Sequence, residues 1–370
     1  MKRFVSVGIT LMTLTFSLTI VTAQIPPIAD AVEDHFAANA DDIAVFCVNS
    51  NDSNDSVQHN ENTRFPLAST FKIVILAELA RQFDAGTMDL DQTVSLEDIN
   101  PYWAPYADAG AHQAWLDSLP PDETVVSLRQ VAEGMIGYSS NANADYLLRR
   151  LQAENFVGLY DHINLTETDL PQQTFLGLFL VYNNHETGIL DLTNADQEQV
   201  YGEMQRLEEA FVASESWRTD YSSYLLEHQS EGTQIELVQS QADFFDEYGP
   251  QGSAADMMRL LRAIHTDDLF SEEAAQFLQD TLNYLLNANP ANRDIYNTLA
   301  YKGGSLPGIA TGAWWVQPIE IEPFELIVLH RNVPVEMWLD WQFTGANQIP
   351  ELRVFAMEEG CSWFAETLVG

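Results

Sequence analysis

Phe65-Pro66-Leu67-Ala68-Ser69-Thr70-Phe71-Lys72, running directly into the apolar stretch Ile73-Val74-Ile75-Leu76, is the segment on which the reading of this chain turns. The spacing predicts one helix from Pro66 to Phe83 with Ser69 in its first turn. Ser69 and Lys72 are three apart, so they share a helix face. At a helix start, free backbone N–H groups and the positive end of the dipole favour developing negative charge. A serine becomes a nucleophile only beside a base. A lysine serves as that base only if burial or a second cation lowers its pKa. On its own Ser-x-x-Lys is a common pattern, and a surface serine and lysine would read the same way.

Lysine usage narrows the choice. Beyond Lys2, in the leader, the chain has only Lys72 and Lys302. A chain that otherwise prefers arginine keeps lysine at two places, which points to giving up a proton near neutral pH. Lys302 opens Lys302-Gly303-Gly304-Ser305, placed on a strand from Leu299 to Leu306. Between the two lysines lies Tyr138-Ser139-Ser140-Asn141. Alone, these read as a glycine-rich bend and a polar turn with a capping asparagine.

In this order the three segments resemble the Ser-x-x-Lys, Ser-Asp-Asn and Lys-Thr-Gly motifs of the serine β-lactamase and penicillin-binding-protein superfamily, class A β-lactamases most closely. The likeness extends to Met135-Ile136-Gly137 before the second segment and Leu306-Pro307-Gly308 after the third. It implies an acylated nucleophile at Ser69, with Lys72 as its base or proton relay. Ser139 would pass a proton to the leaving nitrogen of an opened lactam. Asn141 would bind the substrate amide and Lys72, and Lys302 would hold Ser139 and attract a substrate carboxylate. Gly304 and Ser305 would line the substrate, with the N–H groups of Ser69 and Ser305 as oxyanion hole.

Four departures accompany the resemblance. Ser140 stands where the family has aspartate. Gly303 stands where it has a threonine that helps bind the carboxylate, a role the Ser305 hydroxyl would take over. The strand Gly312 to Gln317 carries no arginine. The Glu-x-x-Leu-Asn segment that activates the deacylating water is missing. In Ile163-Asn164-Leu165-Thr166-Glu167-Thr168-Asp169-Leu170-Pro171 the nearest carboxylates are Glu167 and Asp169. Glu167 is the candidate deacylation base, and solvated loop acids are the plainer reading of both. Without such a base the acyl-enzyme would be long-lived.

Element order predicts the architecture. Helix is expected from Pro27 to Ala38, strand from Asp42 to Ser50, and a short polar strand ending near Arg64. Strands recur at Leu299–Leu306, Gly312–Gln317 and Phe324–Arg331, followed by one helix from Leu352 to Leu368. Strands at both ends and helices between predict an α/β (α+β) fold. One mostly antiparallel sheet is flanked by the terminal helices, with an all-helical lobe over about 78–290. The resemblance implies five strands in that sheet. An acidic segment, about 182–249, looks inserted; its Val200, Met204, Leu207 and Phe211 share one helical face.

Lys2, Arg3, the apolar run to Val21 and Val21-Thr22-Ala23 read as a signal peptide over 1–23, leaving 24–370 as the hydrolase domain. A secreted or periplasmic location follows, with a membrane anchor as the alternative. Removing the leader's two positive charges takes the formal net charge from -39 to -41. So acidic a chain excludes nucleic acid held by phosphate contacts, and no stable membrane insertion is expected. The two cysteines, Cys47 and Cys361, would pair in an oxidising compartment or stay as buried thiols. No Cys/His spacing suits a metal, and no cofactor is expected. The expected partner of this monomer is a small β-lactam, acyl or peptide substrate. Three functions remain: β-lactam hydrolysis, a penicillin-binding-type peptidase or esterase with slow deacylation, or a non-catalytic binding protein of the same fold.

Overall fold

The computed structural model describes residues 27–105, 107–186, 196–228, 234–266, 269–355 and 360–369. The leader lies outside them. Strands β1 (Ile43–Asn49) and β2 (Ser56–His59) come from the start of the chain. Strands β3 (Tyr296–Leu306), β4 (Ile309–Pro318) and β5 (Phe324–His330) come from its end. They form one five-stranded antiparallel sheet in the order β2-β1-β5-β4-β3. The expected sheet is present, with β3 at one edge.

Period-two alternation sorts each strand between two cores. Ala44, Ala313, Trp315, Ile327 and Leu329 face the helical lobe. Val45, Cys47, Trp314, Val316, Leu326 and Val328 face the terminal helices. Those helices are α1 (Pro27–Ala38), as expected, and a group at the C-terminus. In the lobe, α2 (Lys72–Asp84) is the central element, with every residue from Lys72 to Ala80 buried. Apart from Lys72 and Glu78, which have polar partners, this stretch is apolar on all sides, as befits a core helix. Truncating Leu76 or Leu79 to alanine there costs about 2–5 kcal/mol.

Further helices include α3 (Asn141–Leu151), α4 (Phe175–Tyr182), α5 (Gln197–Ala213), α6 (Glu215–His228), α7 (Gln234–Tyr248), α8 (Val335–Thr344), α9 (Ile349–Phe355) and α10 (Ser362–Val369).

Three boundaries correct the sequence reading. The polar strand ends at His59 rather than near Arg64, because Asn60 takes a left-handed conformation and its amide bonds Ala40 O and Ile43 O. The helix expected from Pro66 is three pieces. Phe65–Pro66 pair with Gln251–Gly252, Ala68–Phe71 form a 3-10 turn, and the α-helix begins at Lys72. The final helix expected over 352–368 is two, α9 and α10. Gly360, at φ +69°, precedes Cys361, which is disulfide-bonded to Cys47. The covalent tie to Cys47 fixes where α10 begins.

Candidate active site

Ser69 sits on the 3-10 turn, half-buried, at the junction of α2 with the edge strand β3. The turn is held tightly. Thr70 Oγ1 donates to Leu67 O at 2.6 Å, and Thr311 Oγ1 donates to the same carbonyl at 3.0 Å. Ala68 has φ +46°, a left-handed conformation that alanine adopts only under constraint. Against this turn passes Gly304. A Cβ there would lie 2.7 Å from Ser69 N and 2.4 Å from Thr311 Oγ1. Only glycine lets β3 run this close to the nucleophile's amide.

Lys72 is fully buried. Its Nζ donates to Ser139 O at 2.6 Å, to Asn141 Oδ1 at 2.7 Å and to Ser139 Oγ at 3.2 Å. Three acceptors match three ammonium protons. The Phe175 ring lies over the same nitrogen, 4.7 Å to its centroid. Burial drives the Lys72 pKa down to about 7, against the opposing pull of the Asp108 and Asp145 carboxylates. The Lys72 backbone N–H donates to Ser69 O, and among the described residues no side-chain hydrogen bond joins Lys72 Nζ to Ser69 Oγ.

Lys302 reaches Ser139 from the other side. Its Nζ donates to Ser139 Oγ at 3.1 Å and to Gly303 O at 2.7 Å. Burial first, and the Lys72 charge second, push its pKa well below the ordinary lysine value. One serine hydroxyl thus lies between both lysines of the domain. Ser139 itself has φ +65°. The next residue anchors it. Ser140 caps α3 by accepting from Asn143 N at 3.2 Å, and its hydroxyl meets His112 Nδ1 at 2.9 Å. Burial holds the His112 pKa down at about 4, so the ring is neutral. A hydroxyl paired with a neutral imidazole does at Ser140 what a carboxylate would do.

Asn141 Nδ2 donates to Ala107 O at 3.2 Å, orienting its Oδ1 toward Lys72. Asp108 accepts backbone N–H groups from His112 at 3.0 Å, Gly110 at 3.2 Å and Asn141 at 3.4 Å. Asp145, on α3 one turn beyond Asn141, is fully buried and accepts from Phe175 N at 2.9 Å and Leu176 N at 2.7 Å. Burial raises the pKa of both carboxyls, most strongly that of Asp145.

At the outer edge, Ser305 is exposed and its Oγ accepts from Trp338 Nε1 at 2.9 Å and Gln342 Nε2 at 3.0 Å, both on α8. With both lone pairs filled, that hydroxyl offers its proton outward. Gly303 has a local cause. A Cβ there would lie 2.0 Å from the hydroxyl of Tyr301, a half-buried residue whose ring stacks on Trp314 and whose hydroxyl accepts from Gln348 Nε2 at 2.7 Å.

Ser69, Lys72, Ser139, Asn141, Lys302, Gly304 and Ser305 are therefore gathered around the starts of α2 and α3 and strand β3. Glu167 is engaged elsewhere through its backbone: its N–H donates to Asp256 at 2.8 Å and its carbonyl accepts from Arg64 at 2.9 Å. Among the described residues no hydrogen bond carries its carboxylate to Ser69, Lys72 or Ser139. Asp169 pairs with Arg64 and accepts Gln251 N at 2.9 Å. Sequence reasoning missed Phe175, Asp108, Asp145, His112, Trp338 and Gln342. Only Asp145 left a signal, four residues past Asn141 on the same helical face. Among the described residues no group of three His, Cys, Asp or Glu side chains is placed to hold a metal ion.

The model of the beta-lactamase enzyme family matches residues 27–329. The chain belongs to the β-lactamase enzyme family. It is thereby a serine hydrolase of the β-lactamase type, with the fold expected from sequence. No curated protein matches it. Among solved structures, a β-lactamase from Sphaerobacter thermophilus is similar at 14% identity and TM-score 0.53, over 90% of this chain and 99% of that one. A class A β-lactamase from Mycobacterium abscessus shares 16% identity at TM-score 0.50, over 88% and 99%. A β-lactamase from Chitinophaga pinensis shares 16% at TM-score 0.50, over 87% and 97%. These likenesses carry the fold. In this β-lactamase-type chain Phe175 covers Lys72 and Tyr301 requires Gly303.

Proposed function

We propose that the protein is an exported hydrolase that forms an acyl-enzyme on Ser69 and opens β-lactams. The carrying observation is Lys72: fully buried, three residues past Ser69, held by three acceptors, with a pKa brought to about 7. Near neutral pH such a lysine exists partly as the free amine. In that form it takes the Ser69 proton as Oγ attacks the lactam carbonyl. The backbone N–H groups of Ser69 and Ser305 receive the oxyanion. As the C–N bond breaks, Ser139 gives its proton to the nitrogen and is reprotonated through Lys72. Lys302 keeps Ser139 oriented, Asn141 positions Lys72 and the substrate amide, and Ser305 donates its hydroxyl proton to a substrate acceptor. The Cys47–Cys361 disulfide supports an oxidising, extracytoplasmic setting, in keeping with the leader sequence.

A second reading, a penicillin-binding-type peptidase or esterase with slow deacylation, is favoured by two observations. Phe175, an apolar ring, lies over Lys72, while Glu167 is engaged elsewhere through its backbone.

A chromogenic cephalosporin offered to wild type and Ser69→Ala separates these readings. Turnover lost in the variant supports hydrolysis. A stable mass increase on Ser69 without turnover supports the second. No acylation by β-lactams or activated esters overturns both. Lys72→Arg keeps the charge but not the ability to lose it, so acylation should fall by about 10³-fold or more. Retained acylation in that variant removes Lys72 as the base.

A further inference from the structure

The acidic segment packs against the site rather than away from it. The Val200, Met204, Leu207 and Phe211 stripe of α5 shares a buried cluster with Leu176, Leu178 and Leu180 of the α4 region. Gly177 permits the close approach, since a Cβ there would lie 3.2 Å from both Met204 Cβ and Met204 O. At the polar end of this contact is Glu208, 2% exposed. It accepts from Thr174 Oγ1 at 2.6 Å and from Arg149 Nε at 2.8 Å. Thr174 Oγ1 in turn caps α4, accepting from Gly177 N at 2.9 Å. From the opposite side Asp145 takes the N–H groups of Phe175 and Leu176. The first turn of α4 is thus pinned by carboxylates from two helices, and the ring it pins covers Lys72.

Deacylation by water forms a bond from the water oxygen to the acyl carbon and breaks the bond to Ser69 Oγ. One water proton ends on Oγ, and the acid leaves with the remaining hydroxyl. The step needs a water next to a group able to take its proton. The carboxylates that act on Lys72, Asp108 and Asp145, are each bonded to two or more backbone N–H groups. A further side of Lys72 is covered by the Phe175 ring, 4.7 Å from Nζ to its centroid. We propose that Phe175, locked in place by Thr174 and Glu208, keeps water from the Lys72 side of Ser69, so that the acyl-enzyme outlasts its formation. The acidic segment thereby serves the site by holding that ring. This inference rests on acylation of Ser69, and Phe175, Thr174 and Glu208 act as positioning residues.

Rapid mixing of the full chain with a chromogenic cephalosporin, with mass analysis of Ser69, separates acylation from deacylation. Wild type should show a burst of one equivalent followed by slow release. Phe175→Ala should still acylate but deacylate at least about tenfold faster. Phe175→Leu, which keeps apolar packing, should move in the same direction and serves if the alanine variant does not fold. Glu208→Gln loosens the same turn and should give a smaller increase. Uncovering Lys72 restores its hydration, so the pH midpoint of acylation should rise in Phe175→Ala, a change that loss of packing alone would not produce. Folded variants whose acyl-enzymes decay at the wild-type rate overturn the proposal, as does steady wild-type turnover without a burst. Absence of any Ser69 adduct in wild type overturns the acylation reading beneath it, and is told apart by the missing mass increase.

Discussion

Gly304 shows how much chemistry one missing carbon secures. A methyl group at that position would meet the Ser69 amide, a backbone group with no freedom to yield. Gly304→Ala should therefore leave the fold cooperative but cut Ser69 acylation by about 10²-fold or more, the size of effect that follows loss of one oxyanion donor. Burst kinetics with a circular-dichroism control measure this. Lys72 yields a second expectation. Its free-amine form is the base and its pKa is brought down to about 7. Acylation should rise with pH, about tenfold per unit below that value, and level off above it. A flat profile between about pH 5.5 and 8.5 would contradict a proton-accepting Lys72.

Among elements, α4 is the one that sequence reasoning could not place in the site. Phe175-Leu176-Gly177-Leu178-Phe179-Leu180-Val181-Tyr182 is a plain apolar run, and nothing in it marks one ring as a neighbour of Lys72. That contact depends on where α3 and α5 set the helix, through Asp145 and Glu208, and long-range packing leaves no local pattern. The nucleophile, by contrast, was legible, because Ser69 and Lys72 need each other within one turn of chain. Their local geometry was misjudged: the left-handed Ala68 and the 3-10 turn replace a regular helix start. Gly303 was legible as a departure but not as a consequence, since Tyr301 decides it from the same strand. The α4 cap also gives a stability expectation. Thr174→Ala removes an N-cap and leaves the buried Glu208 short of a donor, so unfolding should become easier by about 1–3 kcal/mol in urea titration.

For the whole molecule, strands at both ends and helices between them were enough to foretell the layering, because each strand's alternation has to serve two cores. The pairing of Cys47 with Cys361 was one of two open readings, and the structure selects the bond. It closes a loop of 314 residues. Chain-entropy reasoning assigns such a cross-link about 6 kcal/mol. Reduction, or serine at both positions, should lower the urea midpoint and steepen the unfolding slope, because the denatured chain without the cross-link is less compact.

Strand β1 lies inside the sheet, and one of its two neighbours is β5, with Ile43 facing His330. A growing chain therefore makes an interior strand near its start and supplies the partner only near its end. Until then β1 exposes an open edge to any other strand that passes. Contacts of such long sequence separation form slowly. Polypeptides cut short before Phe324 should accumulate as aggregates rather than as a smaller enzyme, so the start of this protein can be completed only by its finish.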